Sequence, residues 1–276
     1  MKIRYLAVIF LFLFCISMLN VVDAKTININ EDHSSKEIKK FFNNGGKIAG
    51  KTLSKGDIII FHKGHYGNLN LNTKKSVHIR AKGKVYFGSV TLKSNNVKMK
   101  GFNFNYLALK GNKNRITSSN IHIMKVSGSK NTINKNKIYN YGREGIRVSG
   151  SENKFVKNTI SDYDDGMILL KGTKNLIYKN TFKNLKFNGI ISFSGTSNTK
   201  ITKNKFSNIM CGVYYYPGSV TISGNKFYKI THLKTTKLFA KGTYYGYWNF
   251  HIIFSPFFCF VFSHKLNMIP FFSGNT

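Results

Sequence analysis

A short pattern repeats itself in the second half of the chain. Each copy has an apolar residue, an asparagine three positions later and a second apolar residue two positions after that. The copies are Ile133/Asn136/Ile138, Phe155/Asn158/Ile160, Ile177/Asn180/Phe182, Ile201/Asn204/Phe206 and Ile222/Asn225/Phe227. Successive asparagines are 22, 22, 24 and 21 residues apart. A repeat of this length, built from short β-rich segments, indicates a solenoid, because one unit cannot bury its apolar face without neighbours stacked on it.

The repeated asparagines have a physical use in such a fold. Asparagine tolerates left-handed backbone geometry and can hydrogen-bond its own turn, so it suits a sharp bend between two short strands. When the bend recurs one strand spacing higher, stacked amides can bond along the axis. The sequence predicts two such ladders. One contains Asn136, Asn158, Asn180, Asn204 and Asn225, and the other contains Asn131, Asn153, Asn175 and Asn198.

The same apolar anchor extends towards the start of the chain. From Ile133 we place it at Ile116, Val97 and Val77, with one more copy near Ile59. Short segments rich in Val, Ile and Phe, separated by polar turn residues, are typical of strands. We therefore predict an all-β fold, a single-stranded right-handed parallel β-helix of about nine coils that spans residues 50–231.

These repeats, and the segment Leu53–Asn72 with its Gly-Asp, apolar strand and Gly-x-Tyr-x-Gly-like turn, resemble the right-handed parallel β-helix repeat family. That family includes pectate-lyase-like enzymes, NosD-like periplasmic proteins and adhesin-like surface proteins of methanogens. The resemblance implies the fold and leaves the activity open, because this architecture carries lyases, hydrolases and proteins without catalysis.

The first residues have the features of a secretory signal. Lys2 and Arg4 precede an apolar run, and Val22-Asp23-Ala24 is close to the small-x-small cleavage pattern. We expect residues 1–24 to be a signal peptide and the protein to be secreted or held at the cell surface. Residues 25–49 are predicted to form a strand and a helix that caps the solenoid, because Ser34 and Glu37 have the spacing of a capping box.

The chain is strongly basic, with 43 Lys and Arg against 10 Asp and Glu, a formal net charge of +33. Such a surface should attract acidic polysaccharide or cell-wall polymer. The alternative is that the lysines reflect overall composition, since Asn, Ile and Phe are abundant as well. Export argues against a specific nucleic-acid partner. We expect a monomer.

Half of the acidic residues lie in one short region. Aligning Gly145 with Gly166 stacks Glu144 on Asp165 and Arg143 on Asp164. Asp164, Asp165 and Lys171 resemble the acidic and lysine positions of the alginate/chondroitin lyase family, which would imply calcium at Asp164 and Asp165 and proton abstraction by the lysine. The catalytic set under this alternative is Glu144, Asp164, Asp165 and Lys171. Ordinary turn chemistry before a strand also explains Asp-Asp-Gly.

Four residues are predicted to contact a glycan, namely Arg143, Arg147, Tyr214 and Tyr216. Adjacent strand residues face opposite sides, so at least one tyrosine of the run 214–216 should be core. The favoured hypothesis is an adhesin-like, non-catalytic solenoid that binds polyanionic glycan, and the alternative is a lyase or hydrolase of uronate polysaccharide. No cofactor is expected, apart from calcium under that alternative.

The repeat ends after Ile230. Residues 232–276 begin as a basic linker and continue as an aromatic-rich tail. Three interpretations are open: a cover for the end of the solenoid, a membrane association through residues 247–263, or an aberrant end. Cys211 and Cys259 could form one disulfide.

Overall fold

The computed structural model describes residues 24–215 and 220–230, together with the backbone of residues 241–245 and 259–260. These residues form a parallel β-solenoid of about eight turns with a single helix, α1 (Ser35–Asn43). The strands that precede or open the solenoid are β1 (Thr26–Ile29), β2 (Lys47–Ile48), β3 (Lys51–Thr52), β4 (Ile58–His65), β5 (Leu69–Leu71) and β6 (His78–Leu92). The middle coils contain β7 (Lys98–Lys100), β8 (Asn103–Leu109), β9 (Arg115–Thr117), β10 (Asn120–Val126), β11 (Thr132–Asn134), β12 (Lys137–Val148) and β13 (Lys154–Val156). The last are β14 (Thr159–Thr173), β15 (Leu176–Tyr178), β16 (Thr181–Ser197), β17 (Thr199–Thr202), β18 (Lys205–Tyr215), β19 (Val220–Ile230), β20 (Lys241–Tyr245) and β21 (Cys259–Phe260).

Three parallel sheets run the length of the solenoid, and each coil contributes one short segment to each of them. The first sheet has in register Ile27, Ile59, Ile79, Met99, Ile116, Ile133, Phe155, Ile177, Ile201 and Ile222. The second aligns Phe87, Phe104, Ile121, Ile138, Ile160, Phe182, Phe206 and Phe227. The third aligns Leu69, Val90, Leu107, Met124, Ile146, Met167, Ile190 and Val213. All of these side chains are buried, and they form the core.

The predicted fold class is confirmed, with changes of detail. Nine rungs from Ile59 to Ile222 enclose eight turns, against about nine coils predicted. In the two early coils the rung residues are Ile79 and Met99, whereas Val77 and Val97 lie two positions earlier. The valines are buried too, so each of these two coils contained two candidates for the anchor, two positions apart, and hydrophobicity alone could not choose between them.

Both asparagine ladders form, and their amides bond from coil to coil. We call the ladder that contains Asn131 the first ladder and the one that contains Asn136 the second. In the second ladder the Oδ1 of Asn158 accepts from the backbone N–H of Asn136 at 2.9 Å, and the same contact recurs at 2.8 Å one coil later with Asn180 as acceptor. The first ladder gains Asn114 at its start. Asn198 is not part of it, because the buried Thr199 occupies that position and Asn198 is exposed.

The left-handed position of each bend lies one residue before the ladder asparagine. The expectation that asparagine itself makes the bend was therefore wrong for most coils. The residues with positive φ there include Lys113, Lys130, Glu152 and Lys174 before the first ladder, and Ser118, Lys135, Lys157, Lys179 and Lys203 before the second. The asparagine contributes the axial hydrogen bonds, and its neighbour supplies the turn.

Helix α1 covers the first end of the solenoid. Ser34 caps it and Glu37 completes the predicted capping box. Phe42 packs against Phe61 of the first coil with ring centroids 6.4 Å apart. The Asn43 side chain donates to the carbonyl of Asn70 at 2.8 Å, so it binds the open edge of β5. Shielding of an unpaired edge is what a terminal cap must provide.

Most of the predicted tail, residues 232–276, lies outside the described residues, and so does the proposed membrane segment 247–263 except for the backbone of residues 259–260. The backbone of β20 pairs in parallel with β19, and that of β21 pairs antiparallel with β18. Within the described part of the chain, the only helix is too short and too polar to be a membrane span.

Candidate functional site

The solenoid widens abruptly at Tyr139. In the coil that holds Ile121 and Met124, two residues connect the second sheet to the third. In the next coil seven residues, 139–145, make the same connection between Ile138 and Ile146. The later coils keep the long form, with residues 161–166, 183–189 and 207–212. We call these four segments the wide turns, and they contain the acidic residues singled out in the sequence.

Glycines let the wide turns lie flat on one another. A Cβ on Gly145 would approach the ring of Tyr163 to 2.6 Å, and a Cβ on Gly189 would approach the Gly212 carbonyl oxygen to 2.5 Å. The Tyr163 hydroxyl donates to the backbone carbonyl of His122, two coils earlier, and so anchors the wide turns to the narrow part of the solenoid. Burial, followed by the charge of Asp162, raises the pKa of Tyr163.

One side-chain column crosses the wide turns at the predicted position. Strand register pairs Glu144 with Asp165 and Asn188 with Cys211. The carboxylate of Glu144 binds Arg147 through two contacts, Nε to Oε2 at 3.0 Å and Nη2 to Oε1 at 2.6 Å. Asp165 Oδ1 accepts from the backbone N–H and the side-chain amide of Asn188, at 3.1 and 2.8 Å. Both carboxylates therefore already have strong partners.

Burial is the main cause that raises the pKa of Asp165. The two hydrogen bonds from Asn188 oppose it, and the nearby charges of Asp164 and Glu144 add to it. A carboxyl group with a raised pKa beside a second carboxylate is a feature of general acids, although structural networks produce it as well. Cys211, at the end of this column, is disulfide-bonded.

An open cleft of about 570 Å³ lies beside this column. Its wall is a third ladder, which the sequence analysis does not predict: Asn208 donates to Asn184 at 3.1 Å, and Asn184 donates to Asp162 at 3.5 Å. Arg143 and Asp164 also line the cleft. The available signal was an Asp or Asn two residues after the second-sheet apolar residue in consecutive coils.

The structure brings five predicted residues together. Arg143, Glu144, Asp164 and Asp165 lie in the first two wide turns, and Arg147 lies on the strand that follows the first of them. Arg143 has no carboxylate within 4.0 Å among the described residues, so the predicted pair with Asp164 does not form as an ion pair.

Lys171 lies elsewhere. The four residue steps from Asp165 to Leu169 span about 13 Å of strand at about 3.3 Å per step, and Lys171 follows beyond them. It pairs with Gly195 and does not line the cleft. The proposed lysine base is therefore separated from the carboxylates.

A calcium site is not assembled by these residues. Asp164 and Asp165 supply two carboxylates, and one oxygen of Asp165 is already bound by Asn188. Among the described residues there is no group of three or more His, Cys, Asp or Glu side chains that could hold a metal. Calcium normally takes six to eight oxygen ligands.

The tyrosine run is only partly described. Tyr215 is buried at 8% exposure, which confirms that one member of the run is core. Tyr214 is half-buried, pairs with Ile191 and lies on the third sheet. Tyr216 lies outside the described residues.

Three sheets, axial asparagine ladders and parallel pairing of successive coils define a parallel β-helix. The chain belongs to the right-handed β-helix family, because the model of the "right handed beta helix region" matches residues 100–255. The predicted resemblance to this family is confirmed.

Three solved structures of polysaccharide lyases resemble the chain. Pectate lyase Pel9A has a TM-score of 0.48 at 13% identity, with 83% of this chain and 80% of that one covered. A mannuronic acid specific polysaccharide family 6 lyase from human gut microbiota has a TM-score of 0.37 at 11% identity, with 80% of this chain and 91% of that one covered. The PL6 family alginate lyase AlyGC has a TM-score of 0.27 at 10% identity, with 80% of this chain and 53% of that one covered. At these identities the likeness concerns the fold alone. No curated protein matches the chain.

Proposed function

We propose that this protein is a secreted or surface-associated, adhesin-like solenoid that binds polyanionic glycan or cell-wall polymer without catalysis. One observation carries the proposal. Within the described residues, Lys130 and Arg147 are the only Lys or Arg side chains with a carboxylate within 4.0 Å. The large excess of positive charge is therefore not neutralised internally and is available to a partner.

The distribution of charge favours a polymer over a small ligand. Basic side chains lie on coil after coil, while most of the acidic ones lie in the N-terminal cap and the wide turns. An extended anion can contact many coils at once, and its affinity then depends on the sum of many weak pairs. The N-terminal segment 1–24, with its signal-peptide pattern, favours a partner outside the cell.

The test is binding of the purified protein to immobilised polygalacturonate and alginate, with a neutral dextran as the matched control. Retention on both acidic polymers, absent on dextran and lost as salt is raised from about 0.05 to about 0.5 M, is the expected result, because screening shortens the range of surface charge. Equal retention on dextran, or none on either acidic polymer, contradicts the proposal.

The lyase alternative has one observation in its favour, the raised pKa of Asp165 next to Glu144. It lacks a base at the same place, since Lys171 lies beyond the third-sheet segment. Release of unsaturated uronide, followed by ultraviolet absorbance, tests it directly. Activity that Lys171→Ala and Asp165→Asn both abolish would replace the binding proposal with catalysis.

A further inference from the structure

A column of four lysines runs along the edge where the first sheet turns into the second. They are the residues that immediately precede ladder asparagines, namely Lys135, Lys157, Lys179 and Lys203. All four have the same left-handed backbone, with φ between 54° and 55°. Their N–H groups donate to carbonyls of the following coil at 3.1–3.2 Å, which fixes them one above another. Consecutive lysines are therefore one strand spacing apart, about 4.8 Å.

The lysine column ends abruptly on both sides, and its charges are not neutralised by acidic side chains of the described residues. Ser118 takes the equivalent position in the coil before Lys135, and Gly224 takes it in the coil after Lys203. All four lysines are exposed, and among the described residues none has a carboxylate within 4.0 Å. The edge thus presents a row of four positive charges that no carboxylate neutralises.

A half-buried tyrosine lies within the row. The ammonium of Lys179 is 5.1 Å from the centre of the Tyr178 ring, and that of Lys203 is 6.0 Å from it. A hydrogen bond from Lys179 is the largest cause that lowers the pKa of Tyr178, and the charges of Lys179, Lys203 and Lys157 contribute. An aromatic ring among cations offers a sugar a flat apolar face next to sites for its carboxylate.

Like charges carried on backbone positions at this spacing repel one another, and an anion on each of them removes the repulsion. The best partner has one negative charge per repeat of about 4.8 Å. Polymers of uronic acid carry one carboxylate per pyranose ring, a unit of comparable length. Phosphates along one strand of duplex DNA are only about 3.4 Å apart, so the mismatch grows to about 4 Å over four lysines.

We infer that Lys135, Lys157, Lys179 and Lys203 form a binding site for a polyuronate chain, which lies parallel to the solenoid axis with one carboxylate on each lysine and one sugar over Tyr178. This inference rests on the proposed glycan-binding function and gives it a place, an orientation and a size. The site holds four sugar units, because the column ends on both sides.

The test measures, by fluorescence anisotropy, the binding of oligouronates of two to six units to the full chain. Each oligouronate carries an uncharged fluorescent label. Affinity is expected to rise with each unit up to four and then to stay within about twofold. The double variant Lys157→Met and Lys179→Met should lower tetramer affinity at least about fivefold, since each exposed ion pair contributes modestly. Methionine keeps an unbranched apolar side chain and the same left-handed backbone strain, so the variant removes mainly the charge.

Lys113→Met is the matched control, because Lys113 is also exposed and left-handed but lies at the other bend. It should change affinity by less than about twofold. If long polyuronate binds but the control and the double variant behave alike, or affinity grows steadily through six units, the lysine column is refuted and the proposed function survives. If long polyuronate does not bind, the proposed function itself fails. Tighter binding of four-nucleotide single-stranded DNA, or of anionic vesicles, than of the tetramer would overturn the ligand class.

Discussion

Replacing Asn158 by alanine tests whether the second asparagine ladder holds the coils together. Asn158 is buried at 1% exposure, and its side chain makes four hydrogen bonds. Its Oδ1 accepts from the backbone and side-chain nitrogens of Asn136 at 2.9 and 3.0 Å. Its Nδ2 donates to the carbonyl of Ile133 at 2.9 Å and to Oδ1 of Asn180 at 3.0 Å.

The expected loss follows from these contacts. A hydrogen bond contributes about 1 kcal/mol net, and a buried group left without a partner costs about 1–3 kcal/mol. Four bonds therefore give a decrease of about 4 kcal/mol in the free energy of unfolding, a large part of the 5–15 kcal/mol typical of a domain. Equilibrium unfolding in urea, followed by far-ultraviolet circular dichroism, measures it.

The control removes a ladder contact of the same chemistry from an exposed place. Asn208 donates to Asn184 at 3.1 Å on the surface and has φ of 54°, which glycine adopts freely. Asn208→Gly should change stability by less than about 1 kcal/mol. If Asn158→Ala costs no more than Asn208→Gly, the buried amides do not stabilise the stack and the reasoning fails.

Three further results are expected. Gly189→Ala should destabilise the protein by about 1–3 kcal/mol in the same urea experiment, because the new Cβ would lie 2.6 Å from the Phe206 ring; a neutral result would show that the wide turns can separate. Burial raises the pKa of Asp165, so the folded state holds that proton more tightly and loses stability as pH rises from the unfolded pKa through the folded one. Asp165→Asn should therefore raise the thermal midpoint at neutral pH and leave it unchanged below the unfolded pKa. An equal shift of the midpoint at both pH values would contradict this. Lys113→Gly should stabilise by up to about 1 kcal/mol, since lysine is strained at φ of 57°; a clear loss would mean that the lysine side chain stabilises its turn.

The core could be predicted from the sequence because its signal is periodic. An apolar residue, an asparagine and another apolar residue recur at the coil length, and only stacked coils satisfy all of them. The position of the apolar anchor was predicted wrongly in two coils, at Val77 and Val97, because a buried valine stands there in place of the first-ladder asparagine. The assignment of Asn198 to the first ladder was wrong because the coil before it is two residues longer than its predecessor. The buried ladder position therefore falls on Thr199.

The candidate site was predictable only as a list of neighbours. Aligning the glycines placed Glu144 beside Asp165 correctly, because strand register preserves such alignments. The partner of each carboxylate depends on side-chain geometry. Glu144 binds Arg147 and Asp165 binds Asn188, rather than Arg143 or Lys171. The distance of Lys171 depends on where the strand leaves the turn, which local sequence does not determine.

The fold alone does not explain the lysine column. A left-handed residue must precede each ladder asparagine, and glycine or asparagine adopts that conformation at the lowest cost. The chain uses glycine at Gly101 and Gly224, at the two ends of the same edge, yet lysine in the four coils from Lys135 to Lys203. Each of these lysines is strained and repelled by the next, so lysine is a poor choice for stability there. Lysine also takes the left-handed position at the other bend, at Lys113, Lys130 and Lys174, but there Glu152 interrupts the row and pairs with Lys130. Only the second bend has a consecutive row with an aromatic ring inside it, which is what an axial polyanion site requires. The length dependence of oligouronate binding separates these two explanations, since only a built row saturates at four units.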